Sequence, residues 1–299
     1  MAVVTTSWPA DASDPAGHFV RAEARALEQL GHEVLVVAPP TGGAFGWPGV
    51  AARVRERPAR ALGGIGWVLC ARAQMRSATV ERVVAHWAVP CAWPIAIAAR
   101  TATLEAVSHG ADVRLLTAIP APMRRLAVAA IASRAERWRF VSDGLLEALL
   151  RSLDREMRAR VRRVAFVQPA RLELPDVRRA AAERRLRLGN ARVAVSVGRL
   201  VASKRVDRVI EYVAQALDLD ALVIVGDGPE RERLQRMARD RGVRARFVGK
   251  IAREEALAWI GAADALVHAS EAEGMSTVVR EAESLGTRVV RLGPMASAI

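Results

Sequence analysis

Apolar, β-branched runs alternate with segments of helical periodicity along most of the chain. This alternation is typical of parallel sheets whose strands are joined by crossover helices, because helices then cover both faces of the sheet. In the first half the predicted strands are Ala2–Thr6, Glu33–Ala38, Val80–His86, Leu104–Ser108, Arg137–Ser142 and Val164–Gln168. In the second half they are Ala191–Val197, Ala221–Val225, Arg244–Val248, Ala265–Ala269 and Arg288–Leu292. The pattern predicts an α/β protein.

The alternation is interrupted once, just after Pro169. Pro175 and the charged run Arg178–Arg187 follow, as is typical of a segment between domains. A chain of 299 residues is long enough for two domains that each bury a core. We therefore predict two Rossmann-like, doubly wound domains at residues 1–170 and 191–299, joined by a linker at residues 171–190. The predicted helices include Ala16–Leu30, Gly144–Leu153, Val206–Leu217, Glu230–Arg241, Arg253–Ala262 and Thr277–Leu285.

The charge of the chain favours anionic partners without indicating nucleic acid. The formal net charge is +13. The basic residues are spread over both halves and form neither a basic tail nor a stripe interleaved with aromatic residues. We therefore expect no nucleic-acid partner, and instead contact with phosphate groups or an anionic membrane surface.

Cysteine usage and hydropathy indicate a cytoplasmic protein. Cys70 and Cys91 are the only cysteines, so neither a zinc knuckle nor a disulfide framework is available. The N-terminus reads as a strand and lacks the basic and apolar regions of a signal peptide. The longest apolar run, Ala88–Ala99, is too short to cross a bilayer and contains Pro90 and Pro94. We expect no membrane-spanning segment.

Ligands of doubly wound sheets bind beyond the carboxyl ends of the strands, where three loops of the second half carry suggestive residues. In the first loop Gly198 is followed by Arg199 and Lys204, and two cations after a glycine turn can hold a diphosphate. Lys204 is one of only two lysines in the chain, which makes its position informative. The second loop, Gly226–Pro229, permits close approach of the backbone to a ligand. Taken alone, a solvated turn explains either loop.

The third loop carries the sharpest signal. Residues 271–274 follow a predicted strand, and Ser276 or Thr277 can cap the helix after them. Free amides at that helix start, together with the helix dipole, would attract an anion. Glu281 would lie about one turn inside the helix, facing the same crevice. Carboxylates at Glu273 and Glu281 suit a ligand with both hydroxyl and phosphate groups; the alternative is that Glu281 is an ordinary helical glutamate.

Residues 197–290 resemble the donor-binding domain of family 4 glycosyltransferases, retaining enzymes of the GT-B architecture. The resemblance rests on the Gly-Arg…Lys segment, the Gly-Asp-Gly-Pro turn and the Glu-x7-Glu element, in this order and on the expected elements. It implies that Arg199 and Lys204 hold the donor diphosphate. It also implies that Glu281 binds the ribose and that Glu273 contacts the transferred sugar. The further donor-binding residues that it implies are Gly228, Lys250 and Ile251 (the last two near the base), Gly274, Met275, Ser276 and Thr277.

Residues 1–170 resemble the acceptor domain of the same family more loosely. Gly17 matches the glycine loop at the start of the first helix, although Ala16 stands where the family usually has another glycine. His109 matches a strand-end histidine motif whose imidazole and backbone meet the transferred sugar. Taken alone, a strand-end histidine is more often a structural hydrogen-bonding group, and the motif context reverses that preference. Three further histidines could line the cleft without an assigned catalytic role: His18, His86 and His268.

The resemblance implies transfer of a hexose-type sugar from a nucleotide-diphosphate sugar to a glycan, lipid-linked or small-molecule acceptor, with retention. The expected catalytic residues are His109, Arg199, Lys204 and Glu273. Because cations and a helix start would neutralise the leaving group, no metal and no cofactor are expected. The Asp-x-Asp sequence at Asp218 and Asp220 is similar to the metal-binding sequence of a different class of transferases. Because it precedes a strand, at the end opposite the cleft, we do not expect it to bind a metal. The family normally continues beyond Leu292, so the second domain is expected to be shortened at its C-terminal end.

Other interpretations stay open. A non-catalytic relative would bind a nucleotide-sugar or glycan without transfer, and an epimerase or phosphorylase of the same architecture would catalyse a different reaction. The arginine-rich helices around Arg124–Arg139 and Arg151–Arg163 are either solvated faces or a patch that rests on anionic lipid. Such a patch would bring a lipid-linked acceptor to the cleft and place the protein peripherally on the inner face of the membrane.

Overall fold

A computed structural model of the chain describes residues 1–9, 17–46, 49–172, 174–270 and 276–293. The chain divides into two compact units, with the boundary between Arg171 and Leu172. Each unit is built on one parallel sheet with helices between successive strands. The predicted α/β class with two doubly wound parallel sheets is therefore confirmed.

The first unit contains a six-stranded sheet in the order β2-β1-β3-β4-β5-β6. Its strands are β1 (Ala2–Val4), β2 (Leu35–Val37), β3 (Arg82–His86), β4 (Thr103–Ser108), β5 (Arg137–Phe140) and β6 (Ala165–Val167). Its helices are α1 (His18–Gln29), α2 (Val50–Glu56), α3 (Arg60–Ser77), α4 (Ala111–Ala118), α5 (Ala121–Arg134), α6 (Asp143–Arg151) and α7 (Arg155–Val164). An irregular helical segment, residues 88–98, follows β3.

The order of the strands in the first sheet reverses between β1 and β3, which are neighbours although β2 lies between them in sequence. Such a reversal leaves a crevice at the carboxyl ends of the two strands, because the connecting helices leave on opposite faces. The strands themselves form the core, as Trp138 and Phe140 are fully buried and stacked on each other. The core thus holds the loops after β1, β3 and β4 at one edge of the sheet.

The second unit contains a five-stranded sheet in the order β11-β10-β7-β8-β9. Its strands are β7 (Val193–Val197), β8 (Ala221–Val225), β9 (Ala245–Gly249), β10 (Ala265–His268) and β11 (Arg288–Arg291). Its helices are α8 (Arg178–Leu188), α9 (Val206–Gln215), α10 (Arg231–Asp240), α11 (Arg253–Ala262) and α12 (Thr277–Ser284). Here the order reverses between β7 and β10, so the crevice lies beyond these two strands.

Most of the segment predicted as a linker is helical. Helix α8 packs against α11, where Ala181 is buried and a Cβ atom added to Gly261 would lie 3.1 Å from that of Ala181. The side chains of Arg178 and Arg179 are 88% and 95% exposed on the same helix. The charged run is therefore the outer face of a helix of the second unit, and its small residues form the packed face. None of the helices in the described ranges is both long and apolar enough to cross a membrane.

Candidate functional site

Three strand ends of the second unit are joined by backbone hydrogen bonds. Beyond β7, the N–H of Gly198 donates to Val225 O at 2.9 Å, and beyond β8, the N–H of Gly226 donates to Gly249 O at 2.9 Å. A Cβ atom on Gly226 would lie 1.9 Å from Gly198 O, and the φ of Gly226 is 137°. Only glycine satisfies both conditions. These contacts hold the carboxyl ends of β7, β8 and β9 together.

The turn that contains Gly228 packs onto the loop after β7. The N–H of Leu200 donates to Asp227 O at 2.9 Å, and Leu200 O accepts from the N–H of Glu230 at 3.0 Å. A Cβ atom on Gly228 would lie 2.4 Å from Leu200 O. The predicted close approach of backbone at this turn is thus an approach to the protein's own loop. Contact between Gly228 and a donor stays a prediction.

Arg199 and Lys204 lie in the loop between β7 and α9, at the point where the strand order reverses. Both side chains are half-buried. Lys204 lines a small cavity at the carboxyl ends of β7 and β10, together with Gly198 and His268. Burial, followed by the charges of Lys204 and Arg291, lowers the pKa of His268 to about 4. His268 is therefore neutral at pH 7, and the neighbouring positive charges are those of Lys204 and Arg291.

Glu281 is a buried carboxylate held by Arg253. Helix α12 begins at Thr277, so Glu281 lies about one turn inside it, as predicted. Glu281 is 6% exposed, and its Oε1 accepts hydrogen bonds from Arg253 Nε at 3.1 Å and Nη2 at 2.7 Å. Burial raises the pKa of Glu281, and the guanidinium of Arg253 opposes the rise. Glu281 is therefore not a helical glutamate on a solvated face. Arg253 was not identified from the sequence.

The remaining predicted donor-binding residues occupy two loops. Lys250 is exposed just after β9. Ile251, two residues before Arg253, packs partly into the core of the unit. Ser276 stands in the capping position of α12, but in the described part of this loop no side chain caps the helix, so the predicted capping bond is not found. Glu273, Gly274 and Met275 lie outside the described residues.

Gly17 lies at the start of α1 in the first unit. Its φ is 72°, and a Cβ atom there would lie 2.1 Å from Ser7 O, so no other residue fits without a shift of the backbone. Ser7 is held in turn by Thr5, whose hydroxyl donates to Ser7 O and accepts from its N–H at 3.0 Å. Packing of the chain on itself therefore requires this glycine. Approach of Gly17 to a donor stays a prediction.

His109 follows β4, and its ring lies edge to edge with that of His86 at the end of β3. Their ring centroids are 5.2 Å apart, and His86 Nδ1 lies 3.0 Å from His109 Nε2. Phe19 and Trp87 pack against His109, with their ring centroids 4.8 and 4.9 Å from its own. Burial lowers the pKa of both histidines, that of His86 to about 3. The pair is therefore neutral at pH 7.

A chain of charged groups lies behind His86. Glu23 of α1 has its Oε2 3.8 Å from His86 Nε2, and Glu23 also pairs with Arg139 of β5. Arg139 Nε lies 3.2 Å from Glu105 Oε1, and Arg82 Nη2 lies 2.7 Å from Glu105 Oε2. Arg139 and Glu105 are 6% and 8% exposed, and alternation of sign offsets the cost of burying them. These partners come from four different elements, so the sequence gives no local signal for them.

Asp112 holds the loop that carries His109. Its Oδ1 accepts from the N–H groups of His109 at 3.1 Å and Gly110 at 2.9 Å, and its Oδ2 accepts from Ala88 N–H at 2.8 Å. Ala88 follows Trp87, which has a φ of 73°, a costly conformation for a bulky residue. The carboxylate thus links the loops after β3 and β4. Its role was not identified from the sequence, although it stands three residues after His109.

The two carboxylates of the Asp-x-Asp sequence are engaged by arginines. Asp220 pairs with Arg192 at 3.0 Å and Asp218 pairs with Arg288 at 2.8 Å, so the Asp-x-Asp sequence forms ion pairs at the amino-terminal ends of the strands. No group of three or more His, Cys, Asp or Glu side chains with the geometry of a metal site occurs among the residues that the structure describes.

Comparison with known proteins gives matches to glycosyltransferases. Residues 178–291 match the family model described as glycosyl transferases group 1. The chain is 33% identical over 130 residues to the lipopolysaccharide core biosynthesis glycosyltransferase LpsE of Rhizobium meliloti. The aligned segment covers 43% of this chain and 34% of LpsE. The chain is also 33% identical over 124 residues to the GDP-mannose-dependent alpha-(1-6)-phosphatidylinositol monomannoside mannosyltransferase of Mycobacterium tuberculosis, 38% of this chain and 32% of that protein. The chain matches about a third of the length of these relatives.

A solved structure matches nearly the whole chain. The crystal structure of Anabaena HepE in complex with UDP-glucose gives a TM-score of 0.67 over 97% of this chain and 79% of the HepE chain, at 19% identity. The chain has the GT-B fold. The GT-B architecture that the sequence motifs predict is thereby confirmed, and the group 1 match falls on the unit that holds Arg199, Lys204 and Glu281. Assignment of this GT-B chain to family 4 stays a prediction.

Proposed function

We propose that this GT-B protein is a family 4 glycosyltransferase that moves a hexose-type sugar from a nucleotide-diphosphate sugar to a glycan, lipid-linked or small-molecule acceptor. The observation that carries the proposal is the position of Arg199 and Lys204 where the strand order of the second sheet reverses, inside the segment that matches group 1 glycosyl transferases. Ligands of such sheets bind at this point, and paired cations suit a diphosphate.

The second unit would bind the donor. Arg199 and Lys204 would hold its diphosphate, and the first amides of α12, at Ser276 and Thr277, would add the attraction of the helix dipole. Glu281, already oriented by Arg253, would accept hydrogen bonds from the ribose hydroxyls. Three further contacts belong to the proposal. The base would meet Lys250 and Ile251, and the transferred sugar would meet Glu273, Gly274 and Met275. The backbone of Gly228 would approach a phosphate of the donor.

The reaction breaks the bond between the anomeric carbon and a diphosphate oxygen and forms a bond between that carbon and an acceptor oxygen. In the proposed mechanism both events occur on the same face of the sugar, so its configuration is retained. The proton of the acceptor hydroxyl passes to the departing phosphate oxygen. The charges of Arg199 and Lys204 stabilise the leaving diphosphate electrostatically, so the proposed mechanism requires no metal ion.

The first unit would contribute to binding of the transferred sugar and the acceptor. Its candidates are Gly17 and His109, at two strand ends of the first sheet. Because His109 is neutral at pH 7, its imidazole can share a hydrogen bond with a sugar hydroxyl without carrying charge. Cytoplasmic location with peripheral contact to anionic lipid belongs to the same proposal, since it would give access to lipid-linked acceptors.

A donor panel tests the proposal. One relative is GDP-mannose-dependent and HepE is solved with UDP-glucose, so the panel contains GDP- and UDP-sugars, with release of the nucleoside diphosphate as the signal. The double variant Arg199→Glu, Lys204→Glu should weaken donor binding about 100-fold or more, because two charge-assisted contacts become repulsive. The control variant, Arg236→Glu, Arg239→Glu, makes the same change of charge on the exposed face of α10. Unchanged donor affinity in the Arg199, Lys204 variant would remove the proposal.

The same assay separates the other interpretations. Thermal stabilisation by a donor without release of nucleotide would indicate a non-catalytic relative. A changed sugar without an acceptor would indicate an epimerase, and dependence on free phosphate would indicate a phosphorylase. The configuration of the product, read by NMR at the anomeric carbon, tests retention. Isolation of a covalent glycosyl-enzyme intermediate would contradict the same-face mechanism.

A further inference from the structure

We propose that Glu23 and His86 are positioning residues that fix His109 as the tautomer with its proton on Nε2, so that His109 Nδ1 is a hydrogen-bond acceptor. The identity of the group that His109 meets rests on the proposed function. The tautomer itself is a property of the first unit and is measurable without any substrate.

The first step is the contact between Glu23 and His86. The ion pair with Arg139 holds the Glu23 carboxylate, and its Oε2 lies 3.8 Å from His86 Nε2. The positive charge of Arg139 also acts on His86, but this guanidinium is engaged by both Glu23 and Glu105, and it is the Glu23 carboxylate oxygen that lies within 4 Å of Nε2. A lone pair on Nε2 would face this oxygen, whereas an N–H group there would be attracted to it. His86 is fully buried, where a weak preference of this kind is little screened by water. A neutral His86 therefore carries its proton on Nε2 and leaves Nδ1 as an acceptor.

The second step follows from the contact between the two rings. His86 Nδ1 and His109 Nε2 lie 3.0 Å apart, so one of these nitrogens must donate and the other accept. Because His86 Nδ1 is the acceptor, His109 Nε2 donates. A neutral imidazole has a single N–H, so His109 Nδ1 is left with its lone pair. The reverse arrangement would place the lone pair of His86 Nε2 against Glu23.

The third step is the restraint on the position of His109. Asp112 accepts a hydrogen bond from its backbone N–H, and the neighbouring rings of Phe19 and Trp87 both pack against its imidazole. The ring can therefore turn over only by breaking the bond to His86. Burial lowers the pKa of His109 well below its usual value, which keeps the ring neutral and the tautomer defined.

This arrangement sets the chemistry that His109 can offer. An Nδ1 lone pair accepts a hydrogen bond from a hydroxyl group and repels a phosphate oxygen. Under the proposed function, His109 therefore meets a hydroxyl of the transferred sugar or of the acceptor, and the diphosphate is left to the second unit. A purely structural histidine pair would hold the loops together equally well with either tautomer.

Histidine ring NMR tests the proposal directly. The chain has five histidines, and loss of one set of signals in His109→Asn assigns His109. We expect a protonated Nε2 and an unprotonated Nδ1 throughout the range from about pH 5.5 to about pH 8. In His86→Phe, which keeps a ring but has no acceptor, we expect His109 to become a mixture of both tautomers. Glu23→Gln, which removes the charge, should give the same mixture, whereas Glu28→Gln on the exposed face of α1 should not.

Kinetics give the second measurement. His86→Phe and Glu23→Gln should lower kcat about 10- to 100-fold, with a smaller change in KM for the donor, because a mispositioned ring acts mainly on the reacting complex. His86→Asn, whose side-chain oxygen can replace Nδ1 as acceptor, should restore the Nε2-protonated form of His109 and part of kcat. Absence of transfer by the wild-type chain, with the expected tautomer present, would overturn the proposed function alone. A proton on Nδ1 of wild-type His109, or an unchanged tautomer in both His86→Phe and Glu23→Gln, would overturn the positioning role.

Discussion

Arg253 donates two hydrogen bonds to a single oxygen of Glu281, from Nε at 3.1 Å and from Nη2 at 2.7 Å. The two side chains are only 20% and 8% exposed, so this is a largely buried ion pair. It joins the start of α11 to the first turns of α12. Its energetics follow from burial, because a carboxylate removed from water depends on its counter-charge.

Removal of the counter-charge should therefore be costly. Arg253→Gln is expected to lower the free energy of unfolding by about 2–4 kcal/mol at neutral pH, because it leaves a buried carboxylate without its cation. The cost should shrink near pH 4, where a Glu281 with a raised pKa is protonated and no longer needs the guanidinium. Denaturant unfolding at both pH values measures the difference.

Glu281→Gln is the matched variant. The pKa of Glu281 is raised in the folded state, so the native chain binds this proton more tightly than the unfolded chain does. Its contribution to stability is therefore greatest at low pH and falls as the pH rises through the folded pKa. The variant should flatten this dependence and unfold less easily than Arg253→Gln at neutral pH. An equal loss of stability in both variants would contradict the ion-pair account.

Gly226→Ala should disrupt the junction of β7 and β8. The added Cβ atom would lie 1.9 Å from Gly198 O, an atom of the backbone that cannot move without breaking the adjoining hydrogen bonds. We expect a loss of about 3 kcal/mol or more in the free energy of unfolding. Gly242→Ala is the control, since its φ is also positive at 66° but nothing lies within 4 Å of the added atom. It should lose only about 1 kcal/mol, and a similar loss in the two variants would show that conformation alone matters.

Lys204→Met should raise the pKa of His268. Burial is the larger cause of the depressed value of about 4, so the pKa should rise towards its usual 6.5 without reaching it. Histidine ring NMR during a pH titration measures this, with Lys250→Met as the control that changes the other lysine. Because the folded pKa lies below the unfolded one, His268 makes the second unit less stable as the pH falls from 6.5 to about 4. A pKa that is the same in both variants would contradict the placement of Lys204 beside His268.

The arginines of α7 distinguish a solvated face from a lipid-binding patch. Met157 and Val161 form the buried side of this helix, whereas Arg158 and Arg162 are exposed. The lipid interpretation predicts that replacing Arg158, Arg160 and Arg162 together with glutamine lowers binding to vesicles that contain anionic lipid. Each arginine near such a surface contributes about 1 kcal/mol, so the loss should be about 100-fold at low salt. Unchanged sedimentation with the vesicles would leave the solvated face as the explanation.

The segment Arg178–Leu188 shows where prediction from the sequence reached its limit. Its arginines suggested an exposed connection, yet its alanines pack on α11 and make it part of the second unit. Helix α3 was not predicted either, because its interior holds Gly63, Gly64 and Gly66, which weaken the helical signal. In both cases the decisive contribution is packing against a distant element, which overrides local preference.

The strand-end motifs show the opposite case. Lys204 and His109 were assigned to loops after strands and Glu281 to the first turns of the helix after such a loop, and the structure places them there. Strand and helix periodicity is a local property, and a parallel sheet brings all its carboxyl ends to one edge. The residue types at those ends can therefore be identified from the chain alone.

The sequence by itself determined the α/β class, the two parallel sheets and the loops on which the candidate site residues lie, because periodicity and turn glycines act over a few residues. Only the tertiary structure decided that Arg253 donates hydrogen bonds to Glu281 and that the ring nitrogens of His86 and His109 are in contact. It alone also decided that the ion pair of Glu23 and Arg139 lies beside His86. These partners are 28, 23 and 116 residues apart in the three pairs Arg253–Glu281, His86–His109 and Glu23–Arg139. Contacts over such separations depend on how whole strands and helices pack, which no local pattern records.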